Sequence, residues 1–186
     1  MHTHDKPHHG HRRINTGIAV AAVAALSAVS AVPASAGDGG TGASATKGPI
    51  GHAKIVHGKA IAPSNAPWKV RKVIAAANRI RNKPYKWGGG HGRWNDSGYD
   101  CSGSVSYALH GGRLLGSPLD SSGFMHWAHG GKGQWITVYT NPSHAFMVVA
   151  GLRFDTSQTA GNGPGWSKNI HAERLSDFRK RHKARY

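Results

Sequence analysis

An amphipathic helix is the first element that the hydrophobic pattern of this chain predicts. Its apolar residues recur at helical spacing and are Val70, Val73, Ile74, Ala77 and Ile80. Ser64 or Asn65 can cap the start of this helix, and Pro67 suits its first turn. The segment 82–84 ends in proline and therefore stops the helix. Basic residues occupy the opposite face, which we expect to be solvated.

A second, shorter helix is predicted from Cys101 to about His110. Its second half is apolar, and the paired glycines Gly111 and Gly112 close it. A glycine-rich loop over residues 85–100 leads into this helix. Glycine has no Cβ, so we expect this loop to let the backbone pass close to the helix or to a substrate.

Three strand-like segments follow a polar loop. Residues 135–140 are β-branched and aromatic, residues 144–150 form the most apolar run after the N-terminal leader, and residues 152–156 alternate. Asn141-Pro142 and Gly151 supply the turns between them. The pattern predicts a meander of three antiparallel strands packed against one or two helices, an α+β fold.

Residues 1–36 have the features of a secretory signal peptide. Arg12 and Arg13 make a positive start, residues 18–32 form an apolar run, and Ala34-Ser35-Ala36 offers a cleavage pattern of small residues. A membrane anchor is the alternative, but the run is short for a span of about 20 residues. We expect export, cleavage after Ala36 and no membrane span thereafter, so the protein is secreted or associated with the cell wall.

Three further segments complete the expected organisation. Residues 37–63 are rich in small residues and lysine, which predicts a flexible basic linker that is either an electrostatic tether or a solvated spacer. Residues 64–160 form the expected catalytic domain. Residues 161–186 are expected to be a basic C-terminal tail, helical at best.

The charge of the chain points to an anionic partner. A formal net charge of +16 is high for an ordinary enzyme. Nucleic acid, acidic lipid and anionic cell-wall polymers all fit that sign, and composition alone does not choose among them. No nucleic-acid-binding module is recognisable, and export would separate the protein from nucleic acid. We therefore expect a wall polymer as the partner, and a monomer.

Cys101 is the only cysteine of the chain and the best candidate for a nucleophile. A thiol in the first turn of a helix faces unpaired N–H groups and the positive end of the helix dipole, and both favour the thiolate. The alternative is a small buried core cysteine. A downstream histidine at the head of an apolar strand, His144, favours the nucleophile.

Thiol catalysis also needs a base and a group that orients the base. His144 is the best base, and Asp155, eleven residues later on the next strand, can approach its ring across a tight hairpin. The alternative for Asp155 is a surface carboxylate. Asp100 is too acidic to act as a base at neutral pH and is better placed to bind a substrate cation. No histidine or cysteine spacing predicts a metal site, and we expect no cofactor.

Three pieces of the sequence together resemble the NlpC/P60 family of cell-wall cysteine peptidases. They are Pro-Tyr-Lys-Trp-Gly-Gly at 84–89, Asp-Cys-Ser-Gly at 100–103 and His144 heading an apolar strand. The resemblance covers roughly residues 64–157. It implies a papain-like α+β core in which the nucleophile helix packs on a small antiparallel sheet. It also implies hydrolysis of peptidoglycan stem peptides, commonly at the γ-D-glutamyl to diamino-acid bond.

The resemblance also implies roles for individual residues. Cys101 would be the nucleophile, His144 the base and Asp155 the third, polar member of the triad. Tyr85 would line the cleft and help to bind the oxyanion. Asp100 and Ser102 would hold the free amino end of the stem peptide, and these two with Tyr85 make up the expected substrate-binding set.

Other functions fit the same residues. The chain can be a wall-binding protein that keeps the fold but does no chemistry, or a thiol amidase or acyl transferase on the same scaffold. The intact Cys101, His144 and Asp155 favour an enzyme over a silent binding protein. We therefore predict a secreted cysteine endopeptidase that hydrolyses peptidoglycan without a metal.

Overall fold

The computed structural model describes residues 50–157, 162–171 and 174–186. The expected signal peptide and residues 37–49 of the expected linker lie outside the described residues. In chain order the helices and strands are β1 Lys54–Val56, β2 Lys59–Ile61, α1 Trp68–Ile80, α2 Cys101–Gly111, α3 Ser121–Phe124, β3 His129–Gly130, β4 Ile136–Thr140, β5 Ala145–Val149, β6 Leu152–Asp155, β7 Gly165–Ser167 and β8 Arg179–His182. None of the described helices is both long enough and apolar enough to cross a membrane.

Helix α1 buries the face that the sequence predicts. All five apolar residues of the predicted stripe are buried. The start of the helix differs from the expectation, because neither Ser64 nor Asn65 is its N-cap. A turn in which the Ala66 N–H donates to the Pro63 carbonyl brings the chain into the helix, and Pro67 takes the N-cap position without a side-chain bond. The cap prediction was therefore wrong, although the helix itself is confirmed.

Helix α2 begins at Cys101, as predicted, and Gly112 follows its last residue. The helix packs against α1 on one side and against β5 and β6 on another. The loop before α2 crosses it very closely, because a Cβ on Gly103 would collide with the carbonyl oxygen of Gly89. Glycine at position 103 is thus what allows the loop to lie against the first turn of α2, whereas a Cβ on Gly89 would collide with the carbonyl oxygen of Gly98 within the loop.

Strands β4, β5 and β6 form the predicted antiparallel meander. Ile136 pairs with Val149, and Val149 pairs with Leu152 across a tight turn. Both turn residues, Ala150 and Gly151, have positive φ (47° and 82°), which is the backbone twist that a two-residue hairpin favours. The observed sheet is larger than predicted, with the strand order β3-β8-β4-β5-β6-β7.

The C-terminal segment was expected to be a basic tail, and that expectation was wrong. Residues 165–167 form β7 at one edge of the sheet, and Arg179–His182 forms β8, which lies between β3 and β4. Four consecutive basic residues in β8 give no hydrophobic period. The strand exists because its backbone pairs with β4, where Val138 lies opposite Arg181.

The expected linker is also ordered in its described part. Strands β1 and β2 form a hairpin whose turn residues, His57 and Gly58, have positive φ. Ala53 and Ala60 are buried, and the Ala53 N–H donates to the carbonyl of Ala150. The prediction of a flexible linker was therefore wrong for residues 50–63, since backbone pairing and two small buried side chains fix this segment.

The sheet separates two apolar clusters. Ala145, Met147 and Val149 of β5 face the larger cluster, which includes the buried faces of α1 and α2. Phe146 points to the other side, where it stacks on Tyr139 and packs edge-on against Phe178. The period of two in β5 thus places the larger core on one face and an aromatic cluster on the other.

Candidate active site

Cys101 is the first residue of α2 and is partly exposed. The preceding residue, Asp100, is the N-cap, and its Oδ1 accepts a hydrogen bond of 2.6 Å from the N–H of Gly103. Because Cys101 opens the helix, its own N–H has no carbonyl partner within the helix. The sulfur therefore lies beside a backbone donor at the positive end of the helix dipole.

His144 directly precedes β5, and a side chain fixes its backbone. Asn141 Oδ1 accepts hydrogen bonds from the N–H groups of Ser143 and His144, at 3.0 and 2.9 Å. The N–H of Asn141 donates to the carbonyl of His144 at 3.0 Å. The Asn-Pro turn predicted from the sequence is thus an asparagine-stabilised turn that sets the position of the histidine.

The structure brings Cys101 and His144 into hydrogen-bond contact. Burial raises the pKa of the Cys101 thiol, but the hydrogen bond and charge of His144, with a hydrogen bond from the N–H of Ala145, outweigh it. The pKa therefore lies below its ordinary value, even though the charge of Asp100 opposes this shift. This arrangement favours a thiolate paired with an imidazolium.

Asp155 lies on the other side of the same imidazole. Its Oδ1 is 3.0 Å from His144 Nε2, which leaves Nδ1 of the ring for the sulfur. Burial lowers the pKa of His144, but the contacts with Asp155 and Cys101 outweigh burial and raise it to about 10. The structure therefore brings together all three residues of the expected triad, in the order thiol, imidazole, carboxylate.

Arg153 holds the carboxylate of Asp155, and the sequence analysis did not single it out. Its Nε donates to Asp155 Oδ2 at 2.9 Å, and its Nη2 donates to the same oxygen. The guanidinium also lies over the ring of Phe146, 3.7 Å from the centroid. The i, i+2 spacing on one strand face was the available signal, since such residues lie on the same side of a sheet.

Backbone donors complete the environment of Asp155. The N–H groups of Thr156 and Ser157 donate to Oδ1, at 2.6 and 3.2 Å, and the Ser157 hydroxyl donates to Oδ2 at 2.9 Å. Burial raises the pKa of Asp155, but His144 and Arg153 outweigh it and hold the pKa at about 2. The carboxylate is therefore ionised at any pH at which the protein would work.

Tyr85 lies at the mouth of the site. Its backbone forms a parallel bridge to Tyr99, close to the start of α2, and the residue is 41% exposed. Burial raises the pKa of its hydroxyl, and the charges of Cys101 and Asp100 raise it further. Tyr85 thus lies close enough to Cys101 and Asp100 for their charges to act on its hydroxyl.

Asp100 and Ser102 are already engaged within the chain. Asp100 is 8% exposed, and its Oδ2 accepts from the N–H of Gly88 at 3.1 Å. His91 Nε2 lies 3.0 Å from Asp100 Oδ1 and 3.3 Å from the hydroxyl of Ser102. No periodicity in the sequence indicates this contact of His91.

An open groove of about 480 Å³ lies beside His144. Its lining residues are Asn141, Ser143, His144, Ser157, Arg174, Asp177 and Phe178. Within the described ranges there is no cluster of three or more histidine, cysteine, aspartate or glutamate residues that could hold a metal ion. The site therefore presents a nucleophile, a proton donor and a groove next to them.

Comparison with known proteins gives similarity at the level of structure. No family model matches the chain, and no curated protein matches it. A hypothetical invasion protein of Mycobacterium tuberculosis is 18% identical, with 61% of each chain covered and a TM-score of 0.46. The peptidoglycan hydrolase RipB of the same organism is 23% identical, with 66% of this chain and 68% of RipB covered and a TM-score of 0.48.

RipD of M. tuberculosis is described as a non-catalytic NlpC/p60 domain protein adapted to peptidoglycan binding. It is 18% identical, with 63% of this chain and 98% of RipD covered and a TM-score of 0.46. Identities and TM-scores this low carry no argument about function, which has to come from the chain's own residues. The solved structures to which this chain is similar include a peptidoglycan hydrolase and an NlpC/P60 domain protein, the family that the sequence motifs resemble.

Proposed function

We propose that this protein is a secreted peptidoglycan hydrolase of the NlpC/P60 type, a cysteine endopeptidase that cleaves stem peptides. The observation that carries the proposal is the alignment of three side chains. Cys101 is hydrogen-bonded to His144, and His144 Nε2 is 3.0 Å from Asp155 Oδ1. The proposed bond is that between γ-D-glutamyl and the diamino acid, which the sequence resemblance implies.

In the first half-reaction the thiolate of Cys101 attacks the carbonyl carbon of the scissile amide. The carbonyl oxygen takes up the negative charge, and the N–H of Cys101 and the hydroxyl of Tyr85 donate to it. His144 then gives its proton to the amide nitrogen, the C–N bond breaks, and the amine fragment leaves. The acyl group remains on the sulfur as a thioester.

In the second half-reaction water cleaves the thioester. Neutral His144 takes a proton from the water as the oxygen attacks the acyl carbon, and the C–S bond breaks. A carboxylic acid leaves, and the thiolate–imidazolium pair is restored. Asp155 does not touch the reacting atoms; it is a positioning residue that fixes the ring and stabilises its protonated form.

The charge of the protein supports a substrate in the cell wall. Cleavage after Ala36 removes three basic residues and one acidic residue, and the remaining net charge of +14 would draw the chain towards anionic wall polymers. The groove beside His144 offers both Arg174 and Asp177 to a peptide that carries charged groups. Export by the N-terminal segment would bring the protein to that substrate.

Digestion of purified peptidoglycan and soluble stem peptides, with products weighed by mass spectrometry, tests the proposal. The full chain is expected to split the peptide after the γ-glutamyl residue, and Cys101→Ala is expected to release nothing. Release of the whole peptide from the sugar would make the protein an amidase. If the full chain and Cys101→Ala both sediment with the wall and neither cleaves it, the protein is a wall-binding protein and the proposed enzymatic activity is refuted.

A further inference from the structure

We propose that His91 occupies the carboxylate of Asp100 as an internal partner, so that the cleft takes stem peptides whose amino end is acylated rather than a free ammonium group. This inference rests on the proposed function and concerns its specificity. Acylated stem peptides are those still joined to the glycan through an amide. His91 is thereby a specificity-determining residue.

Asp100 is a buried residue directly before the nucleophile. A buried carboxylate next to the nucleophile is a natural site for a substrate cation, because burial at low dielectric strengthens the attraction between opposite charges. In this structure the carboxylate of Asp100 already has polar partners within the chain. Its Oδ1 accepts hydrogen bonds from the N–H of Gly103 and from the hydroxyl of Ser102, at 3.3 Å for the hydroxyl, and it lies 3.0 Å from His91 Nε2.

The contact with Asp100 favours the protonated form of the His91 imidazole. The hydrogen bond to Asp100 raises the pKa of the imidazole, and burial lowers it. The charges of Asp100 and Asp120 also raise it, so the pKa of His91 lies above its ordinary value. The side chain is still 26% exposed, so it reaches solvent while it is paired with the carboxylate.

Hydrogen bonds and an ion pair hold the loop that carries His91. The N–H of Gly88 donates to Asp100 Oδ2, and that of Gly90 donates to Asp96 Oδ2 at 3.3 Å. Lys86 in turn pairs with Asp96 at 2.8 Å. These contacts fix the loop before His91, at Gly88 and Gly90, and after it, at Asp96. His91 is therefore already ordered before a substrate binds.

A free ammonium group of a substrate is therefore disfavoured at Asp100, because the carboxylate already has partners and because a protonated His91 repels a second cation. A substrate ammonium at Asp100 would have to compete with three partners on Oδ1, one of which is the His91 imidazole whose protonated form the carboxylate favours. An amide at the same place carries no charge and requires no such exchange. The pair thus removes the advantage that a free amine would otherwise gain from Asp100.

Two soluble stem peptides that differ only in N-acetylation of the amino end test the inference. For the wild-type chain we expect kcat/KM for the acetylated peptide to equal or exceed that for the free amine. In His91→Ala the imidazole partner of Asp100 is gone, and in His91→Gln it is replaced by an uncharged side chain, so Asp100 can accept the ammonium. The preference should then shift towards the free amine by about tenfold or more, the value of one charge-assisted hydrogen bond.

His91→Lys restores a cation and should keep the wild-type preference. His126→Ala, at an exposed histidine, is the matched control and should also keep it. A wild-type chain that prefers the free amine tenfold, or an unchanged preference in both His91→Ala and His91→Gln, would overturn the inference while leaving the peptidase intact. Cleavage of neither peptide by the wild-type chain would instead refute the proposed function.

Discussion

Arg153 and Asp155 form an ion pair in which both side chains are fully buried. They lie two residues apart on β6 and therefore on the same face of the sheet, next to the ring of Phe146. The same carboxylate faces His144 through its other oxygen. One buried acid thus connects the candidate active site to the aromatic cluster behind it.

Arg153→Met should be strongly destabilising, because it removes the buried guanidinium from Asp155 Oδ2 and leaves His144, on Oδ1, as the remaining cation. We expect a loss of about 3–5 kcal/mol in the free energy of unfolding, measured by urea denaturation. Arg179→Met, at an exposed position of β8, is the control and should change that energy by less than about 0.5 kcal/mol. The double variant Arg153→Met/Asp155→Asn should recover part of the loss, since no unpaired charge remains; a loss that is merely additive would contradict this account.

The pH dependence of kcat/KM should follow the thiolate–imidazolium pair. Activity requires Cys101 deprotonated and His144 protonated, so it should rise with pH through the lowered pKa of the thiol. It should fall as the pH passes about 10, the raised pKa of His144. Because the two groups interact, the measured limbs belong to the pair.

Asp155→Asn removes a negative charge beside the ring and should therefore lower the pKa of His144. We expect the alkaline limb of kcat/KM to move to lower pH by about one unit or more. Asp177→Asn, a groove carboxylate with an exposed side chain, should leave the limb in place. Equal shifts in the two variants would show that only the general field of the groove acts on His144, not the contact with Asp155.

The elements that carry the triad could be predicted because each has a local signal. The apolar run before Gly111 predicted α2. The turn at residues 150–151 sets the strand register that brings Asp155 back to His144. Strand β8 could not be found in this way, because its side chains are basic and its stability comes from pairing with β4, about 40 residues away. His91 was missed for the same reason, since only the folded loop brings it to Asp100.

Alkylation with iodoacetamide should inactivate the protein and modify one site, since Cys101 is the only cysteine. Because the pKa of its thiol is lowered, we expect modification at pH 6 to be faster than for an ordinary thiol. His144→Ala should slow it by roughly tenfold or more, whereas His126→Ala should not. Mass spectrometry over time gives the rates, and full activity of the alkylated protein would refute the thiol mechanism.

A metal chelator provides a separate check on the same mechanism. Since the proposed steps use only a thiolate, an imidazolium and water, we expect activity on stem peptides to survive EDTA unchanged. Loss of activity that zinc restores would contradict the proposed chemistry.

Export should remove the N-terminal segment. We expect the protein recovered from the medium or the wall of an expressing bacterium to begin at Gly37, because Ala34-Ser35-Ala36 provides small residues before the cut. Intact-mass measurement checks this directly. Ala36→Leu should slow processing, and recovery of the uncut chain in the membrane fraction from the unaltered sequence would favour an anchor.

Asn78 connects three parts of the fold that are distant in the sequence. Its Nδ2 donates to the carbonyl of Ala60 in β2 at 2.8 Å, and its Oδ1 accepts from the N–H of Ala60 at 3.0 Å. The same oxygen accepts from Trp166 Nε1 in β7 at 2.9 Å. One side chain of α1 is therefore hydrogen-bonded both to the β1–β2 hairpin and to the edge strand β7.

Asn78→Ala should lower the free energy of unfolding by about 2–4 kcal/mol, because it leaves buried backbone and indole groups without partners. Asn82→Ala, at the exposed residue just beyond α1, is the matched control and should be close to neutral. Hydrogen exchange gives a second readout, since the amide of Ala60 should lose protection more than the amides of β5. A neutral Asn78→Ala variant with a protected Ala60 amide would mean that strand pairing and burial hold the hairpin without this side chain.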